Sequence, residues 1–216
     1  NCLLAGFPVY SIQKYTNMLL NNNYTVVIVE QITPPPNPER GVTRILSPGT
    51  SIEDYNKNDS RYLMSIYIEK NQYQDKDVYI TGLSTIDLST GKNYLHYIIS
   101  QIDDNQLWID EIGRYIHFYN PSEMLFHLKG FTMTENDIIQ KWDIQHNSIQ
   151  INHYNNKEYL KTTYQNEFLQ KIFKINIMLT PIEHYDLEMK PELVVSYIYM
   201  LQYINDHLMT NLINIE

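Results

Sequence analysis

The side chains in this sequence that suit chemistry fall into three groups: a few cations near the start, one aspartate ahead of a turn, and scattered histidines. Residues 1–50 carry Lys14, Arg40 and Arg44 against Glu30 and Glu39, whereas the remainder holds 13 basic and 23 acidic side chains, a balance of −10. Surfaces that grip DNA do so by neutralising phosphates with Lys and Arg. An overall charge of −9 therefore argues against nucleic-acid contact over most of the chain and concentrates any such contact in the first segment. Arg44 stands just ahead of a Pro-Gly turn. It reads either as a phosphate contact, which positions a protein without reading sequence, or as a solvated arginine. Arg40 follows a proline-rich loop whose mobility could carry it to a phosphate; for it and for Lys14 solvation is the simpler reading. Pro8, Tyr10 and Ser11 form the entry to a helix. Free N–H groups at such a start attract phosphate, while the Ser11 side chain suits an ordinary cap.

Asp87, in Ile86-Asp87-Leu88, is placed like a metal-binding aspartate of a two-metal nuclease. That chemistry needs several converging carboxylates to hold two ions on the attacking and leaving oxygens. Asp110 and Glu111 fall on a helix with no evident convergence, and Asp87 precedes Ser89-Thr90-Gly91. An aspartate there bonds nearby N–H groups, and this turn reading is favoured. The seven histidines, His96, His117, His127, His146, His153, His184 and His207, show no zinc-motif spacing. Trp108 and Trp142 sit on helix faces as core residues rather than stacking platforms, and Asp103-Asp104 and Asp110-Glu111 suit helix starts and solvated faces.

The elements that position these residues follow from periodicity. Residues 11–22 predict a helix with Ile12, Tyr15, Met18 and Leu19 on one face, ended by Asn21 to Asn23. Thr25 to Glu30 is a β-branched run that predicts a buried strand. Pro34, Pro35, Pro36 and Pro38 enforce a loop, Val42 to Leu46 makes a second strand, and Ser47-Pro48-Gly49-Thr50 is a turn. Residues 51–60 are polar and aperiodic, and read as a linker. Strands are then predicted over Tyr62 to Ile68, Val78 to Leu88 and Tyr94 to Ser100, the last two joined by a hairpin turn at Ser89-Thr90-Gly91-Lys92. A helix capped by Asp103 or Asp104 runs to Tyr119; a strand over Glu123 to Leu128, a helix over Thr134 to Trp142 and a strand over Ser148 to His153 follow. Next come a helix from Asn156 to Lys174, with Tyr159, Leu160, Phe168, Leu169 and Ile172 as its stripe, and a terminal helix from Pro191. The terminal helix shows Val194, Val195, Ile198, Leu201, Ile204 and Leu208 at helical spacing, and its apolar face is expected to lack a partner within this chain. The order describes a mixed α/β protein.

Asn1 opens the chain inside an apolar run, which reads as an internal piece of a longer protein. One cysteine, Cys2, excludes a disulfide framework and a cysteine zinc site, and fits a reducing compartment. No apolar run reaches the roughly 18–20 residues that span a bilayer, so no membrane partner is expected.

Several blocks in this order resemble the MutS family of DNA mismatch-repair proteins. They are Ala5-Gly6-Phe7-Pro8-Val9-Tyr10 with the helix after it, Val26 to Ile32, Arg40-Gly41 continuing to Thr50, Ile86-Asp87-Leu88-Ser89-Thr90-Gly91, and Asn120-Pro121-Ser122-Glu123-Met124-Leu125. The composition is similar to that of divergent members in giant DNA viruses and octocoral mitochondria. The resemblance implies the C-terminal part of a mismatch-binding α/β domain over 1–51, a linker over 52–60 and a ribonuclease H-like connector domain over 61–178. The start of a long-helix lever domain would fill 179–216. It implies, for the parent protein, binding of mismatched double-stranded DNA, a homo- or heterodimer partner of the same family, and repair proteins docking on the connector. The parent would act inside cells, with nucleus, cytoplasm, mitochondrion and viral factory all left open. ATP and Mg²⁺ would serve the parent, with no cofactor, metal or catalytic residue in this chain. The Phe-x-Glu mismatch reader would lie upstream and the nucleotide site far downstream. The DNA-side residues implied are Arg44, Pro8, Tyr10, Ser11, Lys14 and Arg40. Two other readings stay open: a metal-dependent ribonuclease H-like nuclease using Asp87, and a plain protein-interaction module.

Overall fold

The computed structural model describes residues 6–50, 62–101, 104, 106–144, 148–152, 157–174 and 178–208. The expected linker, Cys2, Asp103, His146 and His153 lie outside them.

The Ser11 N–H reaches the Pro8 carbonyl at 2.8 Å, closing a 3-10 turn over Val9–Ser11 ahead of helix α1 (Ile12–Leu20). Ser11 thus has near-helical backbone (φ −96, ψ 1) and makes no side-chain cap, contrary to the expectation. A capping side chain needs an extended residue before the helix. Asn23, at φ 61, ends the helix as predicted. The buried residues of α1 are Thr16 and Leu20, not the predicted stripe; Tyr15, Met18 and Leu19 are exposed. Strands β1 (Val26–Gln31) and β2 (Arg40–Leu46) form a two-stranded antiparallel ribbon. A ribbon of two strands covers little, so of the β-branched run only Ile28 is buried, while Val27 and Val29 are exposed.

The second sheet has five strands in the order β5-β4-β3-β6-β7, built from β3 (Tyr62–Tyr73), β4 (Lys76–Asp87), β5 (Lys92–Ile99), β6 (Glu123–Lys129) and β7 (Ser148–Ile151). β3, β4 and β5 are antiparallel neighbours, β6 runs parallel to β3, and β7 runs parallel to β6. This mixed sheet, with helices on both faces, agrees with the mixed α/β architecture expected for this part of the chain. β3 and β4 pair from Tyr62↔Asp87 to Tyr73↔Lys76. Gln74 and Asp75, both at positive φ, turn this hairpin in two residues.

Side-chain alternation sends Met64, Ile66, Ile68, Leu83, Met124 and Phe126 to one face. There they meet Trp108, Ile112 and Ile116 of α2 (Leu107–Tyr119) and Ile138 and Trp142 of α3 (Glu135–Trp142). The Asp104 carboxylate starts α2 by accepting from Gln106 N–H and Leu107 N–H at 3.0 and 3.1 Å. Thr134 and Asp137 close a reciprocal capping box on α3. Leu63, Ile86 and Leu125 point to the opposite face, under α4 (Thr162–Phe173), the short α5 (Pro181–His184) and α6 (Pro191–Leu208).

The terminal helix α6 therefore has a partner after all. Leu193, Val194, Tyr197, Ile198, Leu201 and Ile204 lie in the same core as Leu63 and Leu125. Tyr199, Met200 and Tyr203 are buried too, so the helix is covered nearly all round rather than along one stripe. It seats closely because β3 and β4 offer small residues beneath it; Ser196 Oγ donates to the Ser65 carbonyl at 2.8 Å. Among the described residues no helix is long and apolar enough to cross a membrane.

Candidate nucleic-acid interface

The residues expected to face DNA all fall in the helix-and-ribbon unit. Pro8 and Tyr10 are exposed at the helix entry, Tyr10 at 88%, and Ser11 is half-buried. Lys14 is exposed on the first turn of α1, its ammonium 5.9 Å from the Tyr15 ring centre, and Tyr15 in turn packs on Phe7 at 4.8 Å. Arg40 is the first residue of β2, paired with Gln31. The loop before it is tied down, with Glu39 N–H donating to Thr33 Oγ1 at 2.8 Å and Ile32 N–H to the Glu39 carbonyl at 2.8 Å. Arg40 therefore sits on a strand end, not beyond a mobile loop.

Arg40 and Arg44 have the same strand parity in sequence, yet the ribbon turns them to opposite faces. A register shift between Ile28 and Val29 leaves Thr43 as the extra residue, with its hydroxyl donating to the Ile28 carbonyl at 3.3 Å. Arg44 then pairs with Ile28, on the buried side of β1, while Arg40 and Val42 pair with Gln31 and Val29 on the other. Arg44 is half-buried and Arg40 is exposed.

Behind the ribbon lies a polar cluster that the sequence reading did not assign. The turn Ser47 to Thr50 is buried, with Ser47 N–H and hydroxyl bonded to Thr50 Oγ1 at 3.0 and 2.8 Å. Glu123, the first residue of β6, is fully buried. One carboxylate oxygen accepts from Ser47 Oγ at 2.6 Å and Gly49 N–H at 3.0 Å; the other accepts from Gln150 Nε2 and Tyr203 O–H, both at 2.8 Å. Donors from the turn, β7 and α6 thus satisfy a group whose burial would otherwise cost several kcal/mol, on the order of 1–3 for each polar group left unpaired. The signal was present in the Asn-Pro-Ser-Glu and Ser-Pro-Gly-Thr blocks: a glutamate opening the apolar run Met124-Leu125-Phe126 is a charge destined for burial.

Burial, and next the adjacent Glu123 carboxylate, push the Tyr203 hydroxyl well above its ordinary value of 10.0. Burial does the same for Tyr197 and lifts Tyr164 to about 12. Because these folded-state values are raised, the stability they contribute is complete below pH 10 and is lost as pH rises toward them. The chain is expected to unfold cooperatively above about pH 10, with tyrosinate absorbance and loss of circular dichroism rising together. Early titration of all 19 tyrosines with the fold intact would contradict this.

Asp87 takes the turn role. It ends β4 and accepts from Ser89 N–H, Ser89 Oγ and Thr90 Oγ1 at 2.9, 2.6 and 3.0 Å. Among the described residues no three His, Cys, Asp or Glu side chains converge as a metal site. Glu111 instead faces Arg114 and His96, the last at 3.7 Å. His96 stacks on Tyr115 at 4.4 Å, and burial lowers its pKa. His127 stacks on Tyr199 at 3.9 Å, and His207 Nδ1 lies 2.8 Å from the Tyr203 carbonyl. Both tryptophans are core residues, as expected.

Residues 1–55 match the family model for MutS domain I. A DNA mismatch repair protein mutS homolog, L359, of Acanthamoeba polyphaga mimivirus is 30% identical over 94% of this chain and 20% of its own length. The DNA mismatch repair protein MutS of Caldanaerobacter subterraneus subsp. tengcongensis is 27% identical over 99% of this chain and 22% of its own. That of Halothermothrix orenii is 29% identical over 94% and 20%. The chain spans about a fifth of the length of these curated relatives. Thermus thermophilus RuvC, solved in complex with a Holliday junction substrate, superposes with a TM-score of 0.36 at 8% identity, covering 67% of this chain and 94% of that one. A likeness that slight bears on neither fold nor function.

Proposed function

The chain belongs to the MutS family of DNA mismatch-repair proteins, and on that premise we propose that it gives such a protein part of its grip on the DNA backbone, together with the connector that relays the DNA-bound state. Residues 1–51 are the C-terminal part of the mismatch-binding domain, 61–178 the connector, and 179–216 the start of the lever. Arg44 is the principal phosphate contact, with Lys14, Arg40 and the helix entry Pro8, Tyr10 and Ser11 beside it. The observation that carries this reading is the division of charge: the basic residues of the first segment stand on the helix-and-ribbon unit, while the acidic excess belongs to the residues after it. ATP and Mg²⁺ are assigned to the whole protein. Dimerisation and docking of downstream repair proteins are likewise assigned to the whole protein, the latter on the connector's acidic surface.

In a full-length protein carrying this segment, Arg44→Ala is expected to weaken binding of mismatched and matched duplexes alike. It should also lower the slope of log affinity against log salt by about 0.9, the value of one released counterion. Titration of labelled duplexes across salt concentrations measures both. An unchanged slope would remove Arg44 from the interface, and equal affinity of the unaltered protein for the two duplexes would sink the mismatch-binding role.

A further inference from the structure

Four structural elements meet on one side chain. Glu123 stands on β6, and its donors come from the Ser47 to Thr50 turn that ends the ribbon unit, from Gln150 on β7, and from Tyr203 on α6. The contact is tight as well as polar. A Cβ placed on Gly49 would lie 2.7 Å from both the Glu123 Cβ and its carboxylate, and 3.1 Å from Leu63 Cδ1, so only glycine lets the turn sit down on the glutamate. Gln150 Nε2 also reaches the Tyr203 hydroxyl at 2.8 Å, closing the cluster on the helix side. Ser47 and Tyr203 are 76 and 80 residues away from Glu123 in sequence, on opposite sides of it along the chain.

We propose that Glu123 is a positioning residue, the clamp through which the ribbon unit is held in a fixed attitude to the sheet and to α6. A displacement of the Ser47 to Thr50 turn then reaches Tyr203 chiefly through the Glu123 carboxylate, with the Ser47 side chain also hydrogen-bonded to Tyr203. Surface contacts would dissipate such a displacement among mobile side chains; a fully buried carboxylate with all its bonds made passes it on, because every alternative arrangement leaves a buried donor unpaired. The consequence for DNA-dependent signalling rests on the proposed DNA contact of residues 6–50. The clamp itself does not.

Hydrogen exchange measured by mass spectrometry on the full chain tests it. In Glu123→Ala, exchange at residues 47–50 and at 203–208 is expected to accelerate together by at least tenfold, while α2, beyond the sheet, stays unchanged. Glu123→Gln keeps the size and one carbonyl acceptor, and should fall between. Should the alanine variant fail to fold, two milder changes ask the same question from either end. Ser47→Ala is read at α6, and Gln150→Ala is read at the turn. Each is expected to speed exchange at the far element in the native chain and to have a smaller further effect there in Glu123→Gln. Acceleration confined to each variant's own element would overturn the proposal and leave Glu123 a local cap. A separate arm adds mismatched duplex to the full-length protein: protection should extend to α6 in the unaltered protein and stop at the turn in Glu123→Gln. Exchange coupling without any protection by DNA would retain the clamp and reject the DNA reading. DNA protection reaching α6 in both proteins would overturn the clamp.

Discussion

Gly82→Ala is expected to lower the stability of the chain by about 3 kcal/mol, at the upper end of the range for overpacking a tight contact. The added Cβ would fall 2.5 Å from the Leu193 Cα and the Glu192 carbonyl oxygen, and 2.6 Å from the Leu193 nitrogen. All three are backbone atoms at the start of α6, and none can rotate away. The helix must therefore shift as a body, and with it Leu193, Val194 and Tyr197 in the core. The bond from Tyr97 O–H to the Glu192 carboxylate, 2.8 Å in the native chain, would be disturbed as well. Urea unfolding followed by circular dichroism measures the loss as a fall in midpoint at constant slope. A midpoint within error of the native one would show that α6 is not held where the structure places it.

Trp142→Ala is expected to cost about 4 kcal/mol, as truncation of a large buried aromatic does. Its ring stacks on Phe126 at 5.5 Å and meets Trp108 edge-on at 6.1 Å, and its indole N–H donates to the Ile109 carbonyl at 2.9 Å. The substitution empties the junction of α2, α3 and the sheet and removes the indole's hydrogen bond to α2. Trp142→Phe, which restores most of the volume but not the donor, should recover roughly half of the loss. The same urea titration distinguishes the two. Equal destabilisation by alanine and phenylalanine would mean that the hydrogen bond, not the packing, holds α3 in place.

Much of the fold was legible because local physics decided it. Thr134 with Asp137, Asn120 before Pro121, and the Ser89-Thr90-Gly91 turn act within a few residues of themselves, and each does what its chemistry predicts. The hairpin at Gln74 and Asp75 was missed because glutamine is not a turn residue by habit; the long β3–β4 pairing carries it into positive φ. The stripe on α1 misled for a different reason. Periodicity says that a face is apolar, not that anything covers it, and the ribbon buries Thr16 and Leu20 instead. For α6 the error ran the other way: a helix apolar nearly all round was read from one stripe, when its breadth already called for a covering sheet.

The candidate interface divides along the same line. Its cations and their segregation from the acidic remainder are properties of composition, and so are visible without coordinates. Which way the cations point is not. The bulge at Thr43 reverses the parity between Arg40 and Arg44, and a bulge depends on how two strands happen to pair.

Residue order alone settled where most helices and strands form and which family they belong to, because these depend on neighbours a few positions apart and on short blocks kept in sequence. Only the folded chain decided that Ser47, Glu123, Gln150 and Tyr203 share one buried cluster. Contacts between residues so distant in sequence are set by strand order and by the seat of a helix, and a buried charge takes whatever donors that arrangement brings to it.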